Sequence, residues 1–260
     1  MTQSAPRFIF VLLFLGLTPA ALLAQTDCEG GNGTLDSAHP KTITAAEIIQ
    51  KLGAAETAAK TARLHYTFKQ DVLVQTIVGT KVTGEFHEVT TVSYDDKGKR
   101  QELVTFAAQS SLRGLQLTET DMEDFRIFMP LMLATEDLQT YNLTYAGQQH
   151  VDDLDTFQFR VEPKKKDDKA KRYFEGRIWV DAQDFAIVKV CGKSGPEKIA
   201  VKKRERSDLR PTFVTYRQQV DGRYWFPAYT RSDDTLQFKA GPVRLKEVIK
   251  YTDYKRAEAR

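Results

Sequence analysis

Residues 64–94 read LHYTFKQDVLVQTIVGTKVTGEFHEVTTVSY, and the period of this stretch decides the fold class. Leu64, Tyr66, Phe68, Val72, Val74 and Val78 fall on even positions, with His65, Lys69, Asp71 and Gln75 between them. Successive side chains of a strand point to opposite faces, so a period of two means one apolar face and one solvated face. Gly79-Thr80 is a turn signal. Beyond it Val82, Phe86, Val92 and Tyr94 alternate with Thr83, Glu85, His87, Thr91 and Ser93. The spacing predicts two long strands of an antiparallel hairpin. Asp95-Asp96-Lys97-Gly98 then turns the chain into a third strand near Gln101–Ala107.

Upstream, Thr44 and Glu47 have capping-box spacing. Ile48, Leu52, Ala55, Ala59 and Ala62 follow at steps of four and three, which puts them on one helix stripe. Downstream, residues 118–138 change character. Thr120 and Glu123 have capping-box spacing, and Met122, Phe125, Phe128, Met129, Leu131, Met132 and Leu133 crowd around Pro130. A proline inside a helical pattern breaks it, so the expectation is a helix split at Pro130. Strand signals resume at 139–148, 154–162, 173–181, 184–192, 212–220, 223–232, 234–239 and 243–254. Asp181-Ala182-Gln183-Asp184 and Asp221-Gly222 read as hairpin turns. The fold class expected is α+β, mainly antiparallel β: a strongly curved, incomplete barrel of about eleven strands, with helices covering an apolar concave face.

The ends and the composition place the chain. Arg7 precedes an unbroken apolar run, Phe8–Leu17, and the small-residue segment up to Ala24 follows. That is the layout of a secretory signal, and the run is well short of the ~20 residues that span a bilayer. Residues 1–24 are read as a signal peptide cleaved near Ala24, residues 25–41 as a flexible, Gly-rich arm, and residues 42–260 as one domain. Gln25-Thr26-Asp27 before Cys28 is not a lipidation context. Export puts Cys28 and Cys191 in an oxidising compartment; a bridge and two free thiols both fit, because sequence supplies no distance. Lys+Arg total 38 against 35 Asp+Glu, a net charge of +3, which gives no electrostatic reason to expect a nucleic-acid partner. Two basic stretches, Lys164–Arg172 and Lys202–Arg206, read as solvated loops or as a docking surface for an anionic membrane or partner.

A search for chemistry returns little. His39, His65, His87 and His150 show no metal-ligand spacing, Ile187 stands where a phosphate loop ending in Gly192-Lys193-Ser194 needs Gly, and no Ser lies in a GxSxG context. Asp152-Asp153 and Asp233-Asp234 read as solvated pairs in polar turns. No catalytic residue, metal or cofactor is expected. What stands out is apolar surface: a one-sided sheet and a Met-rich broken helix suggest a hollow concave face with a movable cover, since Met adapts to varied apolar ligands. The candidate ligand-binding residues are Phe68, Val74, Phe86, Val92 and Phe106 from the early strands and Met122, Phe125, Phe128 and Met132 from the cover, with Trp179 and Trp225 secondary.

Two segments carry a resemblance. FEGRIWVDAQDFAIVKV, Phe174–Val190, resembles the hairpin of the periplasmic outer-membrane lipoprotein carrier superfamily (LolA-like, with the related LolB receptors and MucB/RseB sensors), and DGRYWFP, Asp221–Pro227, resembles a later hairpin of the same proteins. The order of signal, helix, long hairpin, interrupting helix and many strands is also similar, over most of residues 42–254. The resemblance implies an incomplete antiparallel barrel whose apolar cavity holds lipid acyl chains, with neither catalysis nor cofactor. It implies a monomeric carrier that shelters acyl chains of lipoproteins or other lipids between an inner-membrane exporter and an outer-membrane receptor. The alternative is a MucB/RseB-type sensor that uses the same fold to regulate a membrane partner. The chain departs from the carriers in extra residues around 163–172 and 193–210.

Overall fold

A computed structural model describes residues 26–165, 172–195, 198–201, 204–207 and 210–257. The segment read as a signal, residues 166–171 of the first basic stretch and Lys202-Lys203 of the second lie outside the described residues.

The first helix, α1, spans Ala45–Arg63 and is capped as its sequence predicts. Thr44 Oγ1 accepts from the Glu47 amide, and the Glu47 carboxylate accepts from the Thr44 amide at 2.8 Å. The long hairpin follows as β1 (Tyr66–Val78) and β2 (Lys81–Tyr94), joined by Gly79-Thr80 and paired Val78↔Lys81 at the turn. Gly79 sits at φ 61°, the positive φ that the first position of such a two-residue turn requires. The third strand, β3, is Arg100–Ala107.

The interrupting segment is short and irregular. A turn of α-helix, α2 (Glu119–Glu123), passes into one π-helical turn (Asp124–Phe128) and stops before Pro130. The chain runs extended to α3, Thr135–Leu138. The cap is Thr118 with Asp121, two residues earlier than the Thr120–Glu123 box expected: the Thr118 amide donates to Asp121 Oδ2 at 2.6 Å. Both pairs satisfy the same spacing, and the earlier one wins because Asp121 is also held by Arg210 from outside the helix.

The remaining strands are β4 (Tyr141–Val151), β5 (Leu154–Pro163), β6 (Tyr173–Asp181), β7 (Ile187–Gly195), β8 (Lys198–Val201), β9 (Arg204–Ser207), β10 (Phe213–Val220), β11 (Tyr224–Phe238) and β12 (Gly241–Arg256). Ten of the strands form one open antiparallel sheet in the order β3-β2-β1-β12-β11-β10-β7-β6-β5-β4, with β8 and β9 as a separate hairpin. Two expectations are corrected. The segments 223–232 and 234–239 are one strand, because Asp233 and Asp234 do not form a turn. Asp233 is clamped by Arg244 at 3.1 Å, and Asp234 accepts from the Thr212 amide at 3.2 Å. The connection carrying the second basic stretch contains the β8–β9 ladder, which its charge-rich sequence does not advertise.

Residues 25–41 are expected as a loose arm, and the described part, 26–41, is tied down. Cys28 and Cys191 form a disulfide, and isolated bridges join Asn32 to Val151 and Asp36 to Gln148 on the β4 edge. The arm backbone comes so close that a Cβ on Gly147 would meet Asp36 O at 2.4 Å, so only glycine fits there. Lys189, fully buried beneath the arm, donates to Asn32 Oδ1 at 2.6 Å and to Gly30 O at 3.1 Å. Burial pushes this ammonium down to about 8.

Candidate functional site

The inner face of the sheet is the one on which α1 and residues 118–138 lie. Ile48 and Leu52 of α1, Phe68, Val72 and Val74 of β1, Phe159 and Val161 of β5, and Ile178 and Val180 of β6 belong to one buried cluster. Strands that are far apart in sheet order therefore share one core. The cover contributes Phe125, Met129, Leu131 and Leu133, each no more than 5% exposed. The hollow expected on this face is occupied by the cover's own side chains.

Most of the candidate ligand residues lie where the period put them. Phe68, Val74, Val92 and Phe125 are buried in the inner cluster, and Phe86, Met122 and Phe128 pack partly buried against it. Met132 instead packs on a second cluster formed by Ala59, Tyr66 and Phe226. Phe106 is on the other face, 48% exposed, its ring 4.9 Å from that of His87. The cause is a β-bulge: Thr90 pairs with Val104 but Val89 pairs with Phe106, so Thr105 is an extra residue and the alternation flips. Trp179 and Trp225 also belong to the outer face, in the cluster beside the disulfide. The Trp179 indole donates to Gln149 at 2.7 Å and stacks under the Lys189 ammonium, and the Trp225 indole donates to Asp184 at 2.9 Å.

The cover is fastened by side chains that reach its main chain. Gln70 donates to Phe125 O at 2.9 Å, Thr215 donates to Met129 O at 2.6 Å, and Arg217 donates to Leu131 O. The Leu133 amide donates to Glu56 at 3.2 Å. These backbone groups of the segment are thus satisfied without a β-ladder. Glu56 and Arg217 are themselves a fully buried ion pair, bidentate at 2.8 and 3.1 Å, and Glu56 also accepts from the Ile187 amide at 3.1 Å. This node links α1, the cover, β7 and β10. Its trace in the sequence is a carboxylate four residues after Leu52, on the helix face that is otherwise apolar.

A second ionic node holds the start of the cover. Asp124, nearly buried, pairs with Arg172 at 2.6 Å and accepts from Ser194 at 2.7 Å; Arg210 pairs with Asp121 and, at 3.1 Å, with Asp124. Glu247 of β12 lies in the same region. Burial, reinforced by the Asp124 carboxylate and opposed by the Arg210 guanidinium, pushes its carboxyl up to about 8. Among the described residues no group of three or more His, Cys, Asp or Glu side chains converges as metal ligands, and no helix is long and apolar enough to cross a membrane.

No protein-family model matches the chain, and no curated protein is similar to it in sequence. Among solved structures it is similar to a DUF1329 family protein from Desulfovibrio piger, at 15% identity over 82% of this chain and 94% of that one, with a TM-score of 0.43. It is also similar to a LolA superfamily protein from Nitrosomonas europaea, at 15% identity, 84% and 96% coverage and a TM-score of 0.32. A third structure, described as an outer membrane lipoprotein-sorting domain from Vibrio parahaemolyticus, has 10% identity, 80% and 93% coverage and a TM-score of 0.37.

Proposed function

We propose that this chain is an exported lipid carrier of envelope lipoprotein sorting. On this reading its inner face receives acyl chains when residues 118–138 move away. One observation carries it: the apolar cover of the inner face is held by side-chain bonds to its backbone and by an ionic node at its start, and not by strand pairing. Such a segment can leave and return without breaking the sheet. The energies match. Burying Phe125, Met129, Leu131 and Leu133 is worth about 1.5–3 kcal/mol each, or about 6–12 kcal/mol in all. A sixteen-carbon chain at about 0.8 kcal/mol per CH₂ offers about 12 kcal/mol. Exchange of cover for cargo is then close to balanced, as a carrier that must also release requires. Hydrogen exchange with and without a lipopeptide tests this. Protection of the amides at 125–133 should fall on loading, whereas binding that leaves those amides protected, or no binding, rules the proposal out.

A second reading, a sensor or interaction protein, is favoured by the other edge of the sheet. The arm caps the β4 edge, but β3 ends the sheet with Leu103, Val104 and Phe106 exposed. Stable retention of one membrane partner by the wild-type chain, lost on Leu103→Lys, supports the sensor; transient capture supports the carrier.

A further inference from the structure

A cavity of about 580 Å³ lies outside the inner cluster, against the opposite side of α1. One wall is the helix, through Ala54, Ala58 and Ala62. The other walls come from the starts of β1 and β11 and the end of β12, with Tyr66, Tyr224 and Arg256. Its floor belongs to the second cluster, where the Tyr66 ring meets Phe226 edge-on at 5.2 Å. Two polar side chains of the walls are already engaged. Thr57 Oγ1 donates to Gly53 O at 2.7 Å and accepts from the Thr135 amide at 3.1 Å, and the Tyr66 hydroxyl donates to Asp221 at 2.5 Å. What the walls offer a ligand is mostly methyl groups and ring faces, with the Thr61 and Tyr224 side chains among them.

Two side chains differ. His65 and Arg256 line the same cavity and are exposed, and neither side chain makes a hydrogen bond or ion pair among the described residues. Both stand at the end of the groove where β1 starts and β12 finishes: His65 immediately precedes β1, and Arg256 pairs with Tyr66 across the ladder. The groove is therefore an apolar trough closed at one end by basic groups. Its size falls within the ~300–1,000 Å³ typical of small-molecule sites.

We propose that this groove binds one long-chain fatty acid, its carboxylate on Arg256 and His65 and its chain between the α1 alanines and the tyrosine rings. Charge complementarity selects the occupant: a guanidinium forms paired hydrogen bonds with a carboxylate, and a single alkyl chain fills a trough of this volume. The site is formed with the 118–138 cover in place, since Thr135 of that segment lines it.

Titration calorimetry with palmitate and with hexadecanol tests it on the full chain, using Ala58→Trp, which fills the groove from an exposed helix position, and Arg256→Gln, which removes only the rim charge. Wild type should bind one palmitate in the groove. Ala58→Trp should bind one palmitate fewer than wild type, and Arg256→Gln should weaken the groove's palmitate about tenfold while leaving hexadecanol unchanged. Absence of palmitate binding overturns the proposal. So does an Ala58→Trp chain that binds as many palmitates as wild type, the result expected if the fatty acid sits on the inner face instead. Equal affinity for acid and alcohol, or a dimer in sedimentation that Ala58→Trp dissolves, gives the groove to another occupant and also overturns it.

Discussion

Replacing Glu56 by Ala tests whether the buried pair fastens the cover. Glu56 and Arg217 are both 0% exposed in their side chains, so the lost carboxylate would leave a guanidinium with no counter-charge in a dry interior. Breaking such a pair from one side costs about 3–5 kcal/mol. The Leu133 and Ile187 amides would also lose their acceptor, at about 1–3 kcal/mol each where water cannot reach them. The sum overlaps with the first figure, and domain stabilities are only about 5–15 kcal/mol, so Glu56→Ala should sit near the edge of folding. Glu56→Gln keeps an oxygen for one amide and should cost less. The double variant Glu56→Gln/Arg217→Met removes both charges and should cost clearly less than the two singles added together. Urea unfolding followed by the fluorescence of Trp179 and Trp225 reads these differences. With m near 1–3 kcal/mol/M, a loss of about 3 kcal/mol moves the midpoint by about 1–3 M. A midpoint for Glu56→Ala within experimental error of wild type, or singles that simply add, would refute the reasoning.

Three further outcomes are expected. Reducing the Cys28–Cys191 bond, which spans a sequence separation of 163, should lower stability by about 5 kcal/mol in the chain-entropy model; an unchanged urea midpoint in dithiothreitol contradicts this. Glu247, whose carboxyl is raised to about 8 from an ordinary 4.5, is protonated in the fold where the unfolded chain is ionised, so wild type should lose stability as pH rises from about 4.5 through 8. Glu247→Gln should flatten that decline in a Tm-versus-pH series, and parallel profiles would count against it. Phe125→Ala should cost about 3–5 kcal/mol and Phe106→Ala under about 0.5 kcal/mol, although the two phenylalanines look alike in sequence; similar losses in thermal melts would show the face assignment to be mistaken.

Local periodicity made the helix and the hairpin legible, because Thr44–Glu47 and the even positions of 64–78 report on interactions close in sequence. The inner face followed from the same period wherever the ladder is regular. It failed at Phe106, where one inserted residue at Thr105 reverses the parity of the positions beyond it, and a bulge leaves no mark in composition. Trp179 was misplaced for another reason. An apolar residue on each side of a strand gives no parity signal, and β6 is buried on both faces because the disulfide-tied arm covers the outer one. Sequence also cannot pair Glu56 with Arg217, which are 161 residues apart, or Asp124 with Arg172 across 48. Those partnerships exist only once the sheet has brought the start of β6 and β10 beneath the cover.

The same long-range pairs bear on how a carrier of this design would be governed. If the apolar exchange between cover and acyl chain nearly balances, hydrophobicity cannot decide which state prevails, and the decision passes to the polar ties. Those ties are of two kinds. The Glu56–Arg217 node is fully buried, spans four elements and is costly to open, so it is the last tie to yield. The Asp121–Asp124 node sits at the start of the cover, its arginines reaching in from Arg172 and Arg210 at the ends of loops, one beside the first basic stretch and one after the β8–β9 hairpin. A partner that draws those loops away would release the first turn of the cover while the Glu56 end still holds. On the carrier reading, Arg172 and Arg210 hold the start of the cover separately from its Glu56 end. Arg210→Gln should accordingly raise hydrogen exchange at 121–125 well before it affects 131–133. Equal loosening at both ends would mean that the cover moves as one piece and that the loops hold no separate control.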